Sequence, residues 1–320
     1  MPYATGNGRK LVIALGGNAL GESPAEQKEL VKVTAKSIVD LVEEKYDVIV
    51  CHGNGPQVGM IKSAFDMVSH DSHTETSIPE MPLMECGAMS QGYIGYHLQQ
   101  AVLCQVKTRN IMKSAATIIT QTVVDAADPA FQNPTKPIGS FFTEEQAKAK
   151  GKETGYTYKE DAGRGWRQVV ASPIPKRIVE FDVVNDLVED GYIVICTGGG
   201  GVPVIEKDGG YVGVPAVIDK DRSSAKLASD AQADMLIILT AVDRVCVNFG
   251  QPNQEEIVSM TTKEARKYIE EEQFAPGSML PKVEACLDYL EQYPKGKALI
   301  TSLEKAANAL RGETGTIITL

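Results

Sequence analysis

Residues 195–211 of the 320-residue chain read ICTGGGGVPVIEKDGGY, and this stretch decides how the rest of the sequence is interpreted. The apolar run Tyr192–Cys196 predicts a buried strand, which is followed closely by the four glycines Gly198–Gly201. Consecutive glycines carry a stability cost, because glycine loses more conformational freedom on folding than any other residue. The next residues, VIEKDGGYVGV, contain a turn signal between short alternating runs and predict a β-hairpin. A functional or structural role is therefore needed to explain why four glycines follow this strand.

Two earlier strands also run into glycine. The run Leu11–Leu15 ends at Gly-Gly, and the run Asp47–Cys51 is broken by HGNGP. In open α/β sheets, ligands bind beyond the carboxyl ends of the strands, where glycines let backbone amides approach an anion. One Gly-Gly alone is more typical of a tight turn. Three such loops together predict a phosphate-sized, anion-binding cleft.

The common phosphate-binding motifs are absent. No GxxxxGK[ST] is present, which excludes the P-loop class, and GNGPQVG misses the dinucleotide fingerprint. No HRD and DFG set marks a protein kinase. The predicted cleft must therefore belong to another class of phosphate-binding protein.

Strands alternate with helices along the chain, which predicts an α/β sandwich around a mostly parallel sheet. The pattern predicts a strand over residues 117–122 and helices over 83–105, 176–189, 219–231 and 278–292. Residues 125–174 do not follow this alternation. They contain several prolines and glycines and the one tryptophan, Trp166, and are too long for an ordinary loop. We interpret them as a small subdomain inserted at the rim of the sheet, able to act as a lid.

Composition excludes several classes of function. The formal net charge of −10 argues against a nucleic-acid partner. No apolar run approaches the roughly 18–20 residues of a membrane helix, and the polar N-terminus lacks the apolar stretch of a signal peptide. The six cysteines are scattered without zinc-binding spacing, which indicates free thiols in a reducing compartment. We therefore expect a cytoplasmic protein with no membrane association.

Two lysines lie where a helix is expected to begin. Lys220 opens the helix predicted from Asp219, and Lys282 lies in the first turn after Ser278. A cation there opposes the helix macrodipole by about 0.3 kcal/mol or more, and a phosphate held at the same helix end would reverse that sign. The alternative is two solvated surface lysines. Of the flanking aspartates, one would cap the helix, while Asp221 could orient Lys220 or lie near Mg²⁺.

The stretch LTAVDRV, residues 239–245, ends a predicted strand with a turn. It could form a wall against an adenine, although plain core and turn is the more common meaning of such a stretch. The histidines His52, His70, His73 and His97 show no ligand spacing, so we expect neither a metal-binding nor a general-base role for them.

Taken together, these stretches resemble the carbamate kinases of the amino acid kinase superfamily. The residues that carry the resemblance are VIALGGNAL, HGNGPQVG, DPAFQNPTKPIGSFF, GGGGVPV, DKD, LTAVDRV and GSMLPKVEA, which extend over nearly the whole chain. The glycine loops and the GSM.PK pattern are shared across the superfamily. NPTKPIG and the tandem glycines are more specific to carbamate kinases.

The resemblance implies a three-layer αβα sandwich around a largely parallel sheet of about eight strands. It implies a homodimer whose residues 1–218 form a lobe for carbamate or carbamoyl phosphate, with the inserted subdomain at about 125–174. Residues 219–320 would form the nucleotide lobe. The implied reaction is reversible phosphoryl transfer between ATP and carbamate with Mg²⁺, running toward ATP in arginine breakdown. No metal ligands are identified.

The resemblance also implies roles for individual residues. Lys220 and Lys282 would attend the transferring phosphoryl group, and Asp221 would organise them. The implied substrate-binding residues are Gly16, Gly17, Asn18, Gly53, Asn54, Gly199 and Gly200. The implied nucleotide-binding residues are Ala241, Val242, Asp243, Met279 and Lys282. Carbamate is already an anionic nucleophile, so positioning and charge stabilisation suffice without a catalytic His or Cys.

One departure from the superfamily leads to a further catalytic candidate. Many relatives carry a lysine in the first strand, where this chain has Ala14. The inserted segment offers Lys136 as a replacement, on backbone stiffened by Pro134 and Pro137. The alternative is a surface lysine on a floppy insertion. If Lys136 takes part, the subdomain must close over the cleft to deliver it.

Two rival functions remain open at this point. One is another superfamily kinase, acting on the carboxylate of acetylglutamate, glutamate or aspartate or on the phosphate of UMP; residues 125–174 and NPTKPIG argue against it. The other is a catalytically inactive metabolite sensor, against which the presence of Lys220 and Lys282 argues.

Overall fold

The computed structural model describes residues 8–17, 20–21, 23–69, 78–161 and 163–320. The chain begins with β1 (Lys10–Leu15), α1 (Pro24–Glu43), β2 (Asp47–His52), α2 (Gln57–Ser69), α3 (Leu83–Thr108), β3 (Ala115–Thr117) and β4 (Gln121–Val124). It continues with β5 (Lys136–Phe142), α4 (Glu144–Thr154), β6 (Tyr158–Glu160), β7 (Trp166–Val170), β8 (Pro175–Ile178), α5 (Phe181–Glu189), β9 (Ile193–Cys196), β10 (Val202–Lys207) and β11 (Gly210–Gly213). It ends with α6 (Lys220–Asp230), β12 (Met235–Thr240), β13 (Val245–Val247), β14 (Glu255–Ile257), β15 (Ser259–Thr261), α7 (Thr262–Glu270), α8 (Met279–Gln292), β16 (Lys297–Ser302), α9 (Ala306–Leu310) and β17 (Thr316–Thr319).

In the described part of the chain, eight strands form one large sheet in the order β15-β17-β16-β12-β1-β2-β9-β3. Strand β1 lies near its middle and pairs in parallel with both β2 and β12. The pair β16 and β17 is antiparallel, whereas the other neighbours run in parallel. The prediction of a largely parallel sheet of about eight strands is therefore confirmed.

Helices cover both faces of this sheet. Successive side chains of a strand point to opposite faces, and β1 accordingly divides between two cores. Val12 and Ala14 pack in the core that contains residues of α5, α6 and α8, whereas Leu11, Ile13 and Leu15 pack in the core that contains residues of α1 and α3. Because both faces are buried, β1 is apolar from Leu11 to Leu15 rather than alternating. The αβα sandwich is confirmed.

Capping residues mark the starts of several helices. The Ser23 side chain accepts a hydrogen bond from the amide of Glu26 at the start of α1, and Thr261 and Glu264 form a reciprocal capping box at α7. Asp219 caps α6 as expected, its side chain accepting from the amide of Asp221. The start of α8 follows Ser278 as predicted, but the Ser278 side chain makes no capping hydrogen bond.

Two predicted elements differ from the structure. The helix expected over 176–189 begins only at Phe181, because residues Pro175–Ile178 form β8 and pair antiparallel with β4. The strand expected over 117–122 is two strands in different sheets: β3 belongs to the large sheet, and β4 joins β11, β10 and β8 in a smaller one. Short runs such as these carry too few residues for the period of the pattern to decide.

The predicted subdomain at 125–174 has its own small sheet, in the order β5-β7-β6, together with helix α4. An apolar cluster including Val58, Leu83, Ile138, Val170 and Val217 packs it against the N-terminal part of the chain. Strands from residues 1–218 form one half of the large sheet, and strands from 219–320 form the other. The assignment of carbamoyl phosphate to the first part and nucleotide to the second stays a prediction.

Candidate active site

The predicted glycine loops meet at one edge of the large sheet. They follow β1, β2 and β9, which are neighbours in the sheet and run in parallel. A Cβ built on Gly17 would lie 3.5 Å from the carbonyl oxygen of Gly55, and one on Gly53 would lie 3.4 Å from Cδ of Lys220. The loops after β1 and β2 therefore contact each other, and the Lys220 side chain packs against the loop after β2.

The two candidate lysines share one carboxylate. Lys220 donates to Oδ1 of Asp221, and Lys282 donates to Oδ2 across 3.0 Å. Asp221 is buried, with 4% of its side chain exposed, while Lys220 and Lys282 are 14% and 16% exposed. Two cations beside one anion leave a net positive charge, and both lysines line the cleft described below. Such a preorganised charge can stabilise a phosphoryl group in transfer.

Lys136 reaches this network from the inserted subdomain. Its ammonium lies 2.7 Å from Oδ2 of Asp219, whose Oδ1 accepts from the amide of Asp221 at 2.9 Å. Burial alone would raise the pKa of Asp219, but the charges of Lys136 and Lys220 and these hydrogen bonds hold that pKa well below its usual range. Lys136 is thus paired with Asp219, the residue that directly precedes Lys220. Its part in catalysis stays a prediction.

The tandem glycines serve the packing of the chain itself. Gly198–Gly201 are fully buried, and Gly199, Gly200 and Gly201 have φ of 62°, 89° and 85°. A Cβ on Gly199 would lie 2.1 Å from the Asn54 side chain, and one on Gly200 would lie 2.5 Å from the Ile218 carbonyl oxygen. The Cβ positions therefore face protein rather than an open anion site, which corrects the reason we gave for these glycines. Substrate binding through the backbone of Gly199 and Gly200 stays a prediction.

Backbone strain concentrates at the same loop. Thr197 is buried and has φ of 47°, a rare conformation for a β-branched residue. The amides of Gly200 and Gly201 close the loop by donating to the carbonyls of Thr197 and Gly198. Such strain is typical of functional sites, where the surrounding structure enforces it.

A cleft of about 620 Å³ opens from these residues toward the C-terminal half of the chain. Lys220, Lys282, Gly16 and Gly17 line one end. Of the predicted nucleotide-binding residues, Ala241, Val242, Met279 and Lys282 line the cleft. Asp243 instead accepts a hydrogen bond from the Ser302 hydroxyl. The cleft therefore combines the cations Lys220 and Lys282 with apolar surface, as a nucleotide requires.

Sequence reasoning missed part of this cleft. Residues that line it without having been singled out include Cys246, Phe249, Gln273, Phe274, Leu303 and Glu304. Phe249 is the clearest omission, because it is a large apolar side chain that is 67% exposed. An aromatic residue in the polar, glycine-containing stretch VNFGQPN was the signal that could have revealed it.

The remaining candidates divide between buried and undescribed positions. Asn54 is buried and donates to the Ser90 hydroxyl at 3.2 Å, whereas Asn18 lies outside the described residues, as do His70 and His73. His52 is fully buried, and burial lowers its pKa to about 4. No cluster of three or more His, Cys, Asp or Glu able to hold a metal is found in the described ranges. All six cysteines are free.

In the part of the chain that the structure covers, no helix combines the length and apolar character needed to cross a membrane.

Comparison with known proteins places this site in a family. The amino acid kinase family model matches residues 9–302. The chain is 52% identical over 309 residues to a carbamate kinase of Staphylococcus haemolyticus, with 97% of this chain and 99% of that protein covered. It is 53% identical over 310 residues to a carbamate kinase-like protein of Escherichia coli, with the same coverage.

Solved structures agree. The carbamate kinase of Giardia lamblia bound to AMP-PNP is 40% identical, covers 98% of this chain and 99% of its own, and superposes with a TM-score of 0.89. Family model, relatives and structure extend over nearly the whole chain, including the glycine loops and both lysines. The chain belongs to the amino acid kinase family and, within it, to the carbamate kinases.

Proposed function

We propose that this protein catalyses reversible phosphoryl transfer between ATP and carbamate, forming carbamoyl phosphate and ADP. The observation that carries the proposal is the pairing of Lys220 and Lys282 on the buried Asp221 beside the glycine loops. Phosphoryl transfer depends mainly on positioning and on stabilising charge spread over the phosphoryl oxygens. Proteins about half identical to this chain are named for the same activity, which supports the proposal.

The cleft suggests how the nucleotide lies. Its cationic end would hold the phosphates between Lys220 and Lys282, and its apolar stretch near Val242 and Phe249 would receive the base. The carbamate would then bind on the side of the loops after β1 and β2, where Lys136 approaches. Carbamate needs no general base, because its attacking oxygen is already anionic.

We propose Mg²⁺ as the metal that accompanies the nucleotide. Asp221 and Asp219 are the carboxylates next to Lys220, and lysines already engage both of them. This fits a metal held chiefly by nucleotide phosphates and water, which is the usual arrangement for Mg²⁺ in phosphotransferases. The metal would neutralise phosphate charge, while the protein side chains position the reacting groups.

A coupled assay tests the reaction directly. Purified protein with carbamoyl phosphate, ADP and Mg²⁺ should form ATP, detected through hexokinase and glucose-6-phosphate dehydrogenase. Acetylglutamate, glutamate, aspartate and UMP, each offered with ATP, test the rival kinases in parallel. ATP formation absent with carbamoyl phosphate, or clear turnover of one of the rivals alone, would reject the proposal, and absence of all turnover would favour the sensor.

We also propose a homodimer formed through helix α3 and strand β3. Met89 and Tyr96 lie on one face of α3, seven residues apart, with exposures of 40% and 57%, and Ile119 beyond the edge strand β3 is 51% exposed. Burying such a surface against a second copy would remove apolar area from water. Light scattering should give twice the chain mass, and Tyr96→Asp should give the monomer mass.

The cellular compartment and metabolic role of the protein are proposed from its similarity to carbamate kinases. We propose a cytoplasmic enzyme that makes ATP during arginine breakdown. The six free thiols, including the buried Cys51 and Cys196, suit a reducing compartment. Loss of the gene should lower ATP yield during growth on arginine, and cell fractionation should recover the protein with the cytoplasm.

A further inference from the structure

The inserted subdomain contacts helix α2 at residues that do not line the nucleotide cleft. A second cleft, of about 690 Å³, lies between the subdomain and α2 next to this contact. Its lining includes Lys62 and Glu80 from the N-terminal part of the chain and Tyr156 from the subdomain. At one end of this cleft the backbones touch: a Cβ on Gly59 of α2 would lie 2.8 Å from the amide nitrogen of Gly139 on β5. Glycine at position 59 is thus what allows β5 to approach α2.

A charged cluster lies on the α2 side of this contact. Lys62 has only 8% of its side chain exposed, and its ammonium donates to Asp66 and, at 3.0 Å, to Oε1 of Glu80. Burial alone would lower the pKa of Lys62, but these two acceptors outweigh it and raise that pKa. The ammonium therefore stays charged and fixes the carboxylate of Glu80.

One subdomain side chain binds this cluster. The Tyr156 hydroxyl donates to Oε1 of Glu80 at 3.1 Å, and its ring centre lies 6.0 Å from the Lys62 ammonium. Tyr156 follows α4, so the bond ties the far end of the subdomain to the N-terminal part of the chain. Hydrogen bonds to charged acceptors are stronger than those between neutral groups.

Strand β5 links this docking contact to the active site. It begins at Lys136, whose ammonium contacts Asp219, and passes Gly139 against α2 three residues later. Three residues of strand extend about 10 Å. Any tilt of the subdomain on α2 must therefore move Lys136 relative to Asp219.

We propose that Tyr156 and Lys62 are positioning residues for Lys136, holding the inserted subdomain on α2 so that Lys136 reaches the start of α6. The inference rests on the proposed function, because it assigns a task to the subdomain in that reaction. Neither residue touches the nucleotide cleft. Both act through the placement of β5.

The primary variant is Tyr156→Phe, which removes one hydroxyl from a side chain that is 37% exposed and leaves its ring in place. Hydrogen–deuterium exchange over residues 136–142 should become faster by about tenfold, the factor expected for one hydrogen bond to a charged acceptor. In ATP formation, kcat should fall while the KM for ADP stays unchanged. The matched control is Tyr211→Phe on strand β11, which loses a hydroxyl that accepts a hydrogen bond from Arg177. It should change neither the exchange rate over residues 136–142 nor kcat.

Two further variants separate positioning from mere structure. Lys62→Met should have the same effects as Tyr156→Phe, and Lys62→Arg should largely restore the wild-type values by keeping the charge. In a Lys136→Ala background, Tyr156→Phe should lower kcat no further, because the residue it positions is gone. An equal additional loss in that background would overturn the proposal.

Unchanged exchange over residues 136–142 in Tyr156→Phe would also overturn it, whether or not the enzyme is active. Wild-type protein that forms no ATP would instead reject the proposed function, and the exchange measurement would still decide the docking. The two failures are therefore distinguishable.

Discussion

The ammonium of Lys282 lies 3.0 Å from Oδ2 of Asp221, a residue 61 positions earlier in the chain. The contact joins the first turns of α6 and α8, two helices that pack side by side in one core. Because Asp221 is buried and also bound by Lys220, neither lysine can move without leaving a carboxylate partly unpaired. The position of both cations is therefore fixed before any substrate arrives.

The first prediction concerns Lys282→Ala. We expect kcat for ATP formation to fall by about 10²–10³, the usual loss for one preorganised transition-state donor. Folding should be little affected, because Asp221 keeps Lys220 as its partner. Lys226→Ala is the control, since Lys226 pairs with Asp230 on the same helix α6 as Lys220 but outside the cleft lining. Near-normal turnover in Lys282→Ala would remove this lysine from the mechanism.

The second prediction concerns Lys136→Ala. Loss of a cation near the proposed position of the transferring group should lower kcat sharply, by about tenfold or more. ADP affinity should stay nearly unchanged, because the proposed ADP site lies in the cleft that Lys136 does not line. Steady-state kinetics and equilibrium ADP binding on the same preparation measure the two quantities. A loss of activity explained wholly by weaker ADP binding would contradict the role.

The third prediction separates two kinds of glycine. Gly200→Ala should lower the free energy of unfolding by about 3 kcal/mol, because a Cβ there meets both an unfavourable φ and the Ile218 backbone. Gly209→Ala is the control: its φ is also positive, at 76°, but a Cβ would meet open space. Its cost should stay near 1–2 kcal/mol. Urea unfolding of both variants checks this, and equal losses would show that contact at Gly200 adds nothing.

The fourth prediction concerns pH and His52. Burial lowers the folded-state pKa of His52 from 6.5 to about 4, so the unfolded chain binds this proton more readily. The associated stability is fully present above pH 6.5 and is lost as the pH falls toward 4. Between pH 7 and pH 5 the loss from this group is about 2 kcal/mol.

Replacing the residue isolates that contribution. His52→Gln should show a smaller fall in the free energy of unfolding between pH 7 and pH 5 than the wild type, measured by urea unfolding at each pH. Parallel pH dependence in the two proteins would mean that His52 is protonated as easily in the folded state as in the unfolded one.

The sequence predicted the features that depend on local pattern. The apolar run Leu11–Leu15 predicted a buried strand, and Asp219 predicted a helix start, since capping uses neighbouring residues. Lys220 and Lys282 could be identified as candidates because the helix dipole at a helix start also depends only on neighbouring residues. Their meeting at Asp221 depends on how α6 and α8 pack, which no local pattern contains.

Other features depended on tertiary contacts. Glycine is required at positions 199 and 200 because a Cβ there would meet Asn54 and Ile218. Both of these residues lie elsewhere in the sequence, so the local pattern does not reveal the contacts. Strand β8 was mistaken for helix because its four residues gain their conformation from pairing with β4. Phe249 was missed because a single exposed aromatic has no period.

The ladder between β1 and β12 has a consequence for how this enzyme can vary. Four consecutive register pairs, from Leu11 with Met235 to Ala14 with Ile238, join the two halves of the large sheet without interruption. The halves are therefore held together as one sheet, whereas the insertion contributes none of its strands β5, β6 and β7 to that sheet. We therefore expect that residues 125–174 can change in sequence during evolution, and acceptor choice with them, without disturbing the large sheet.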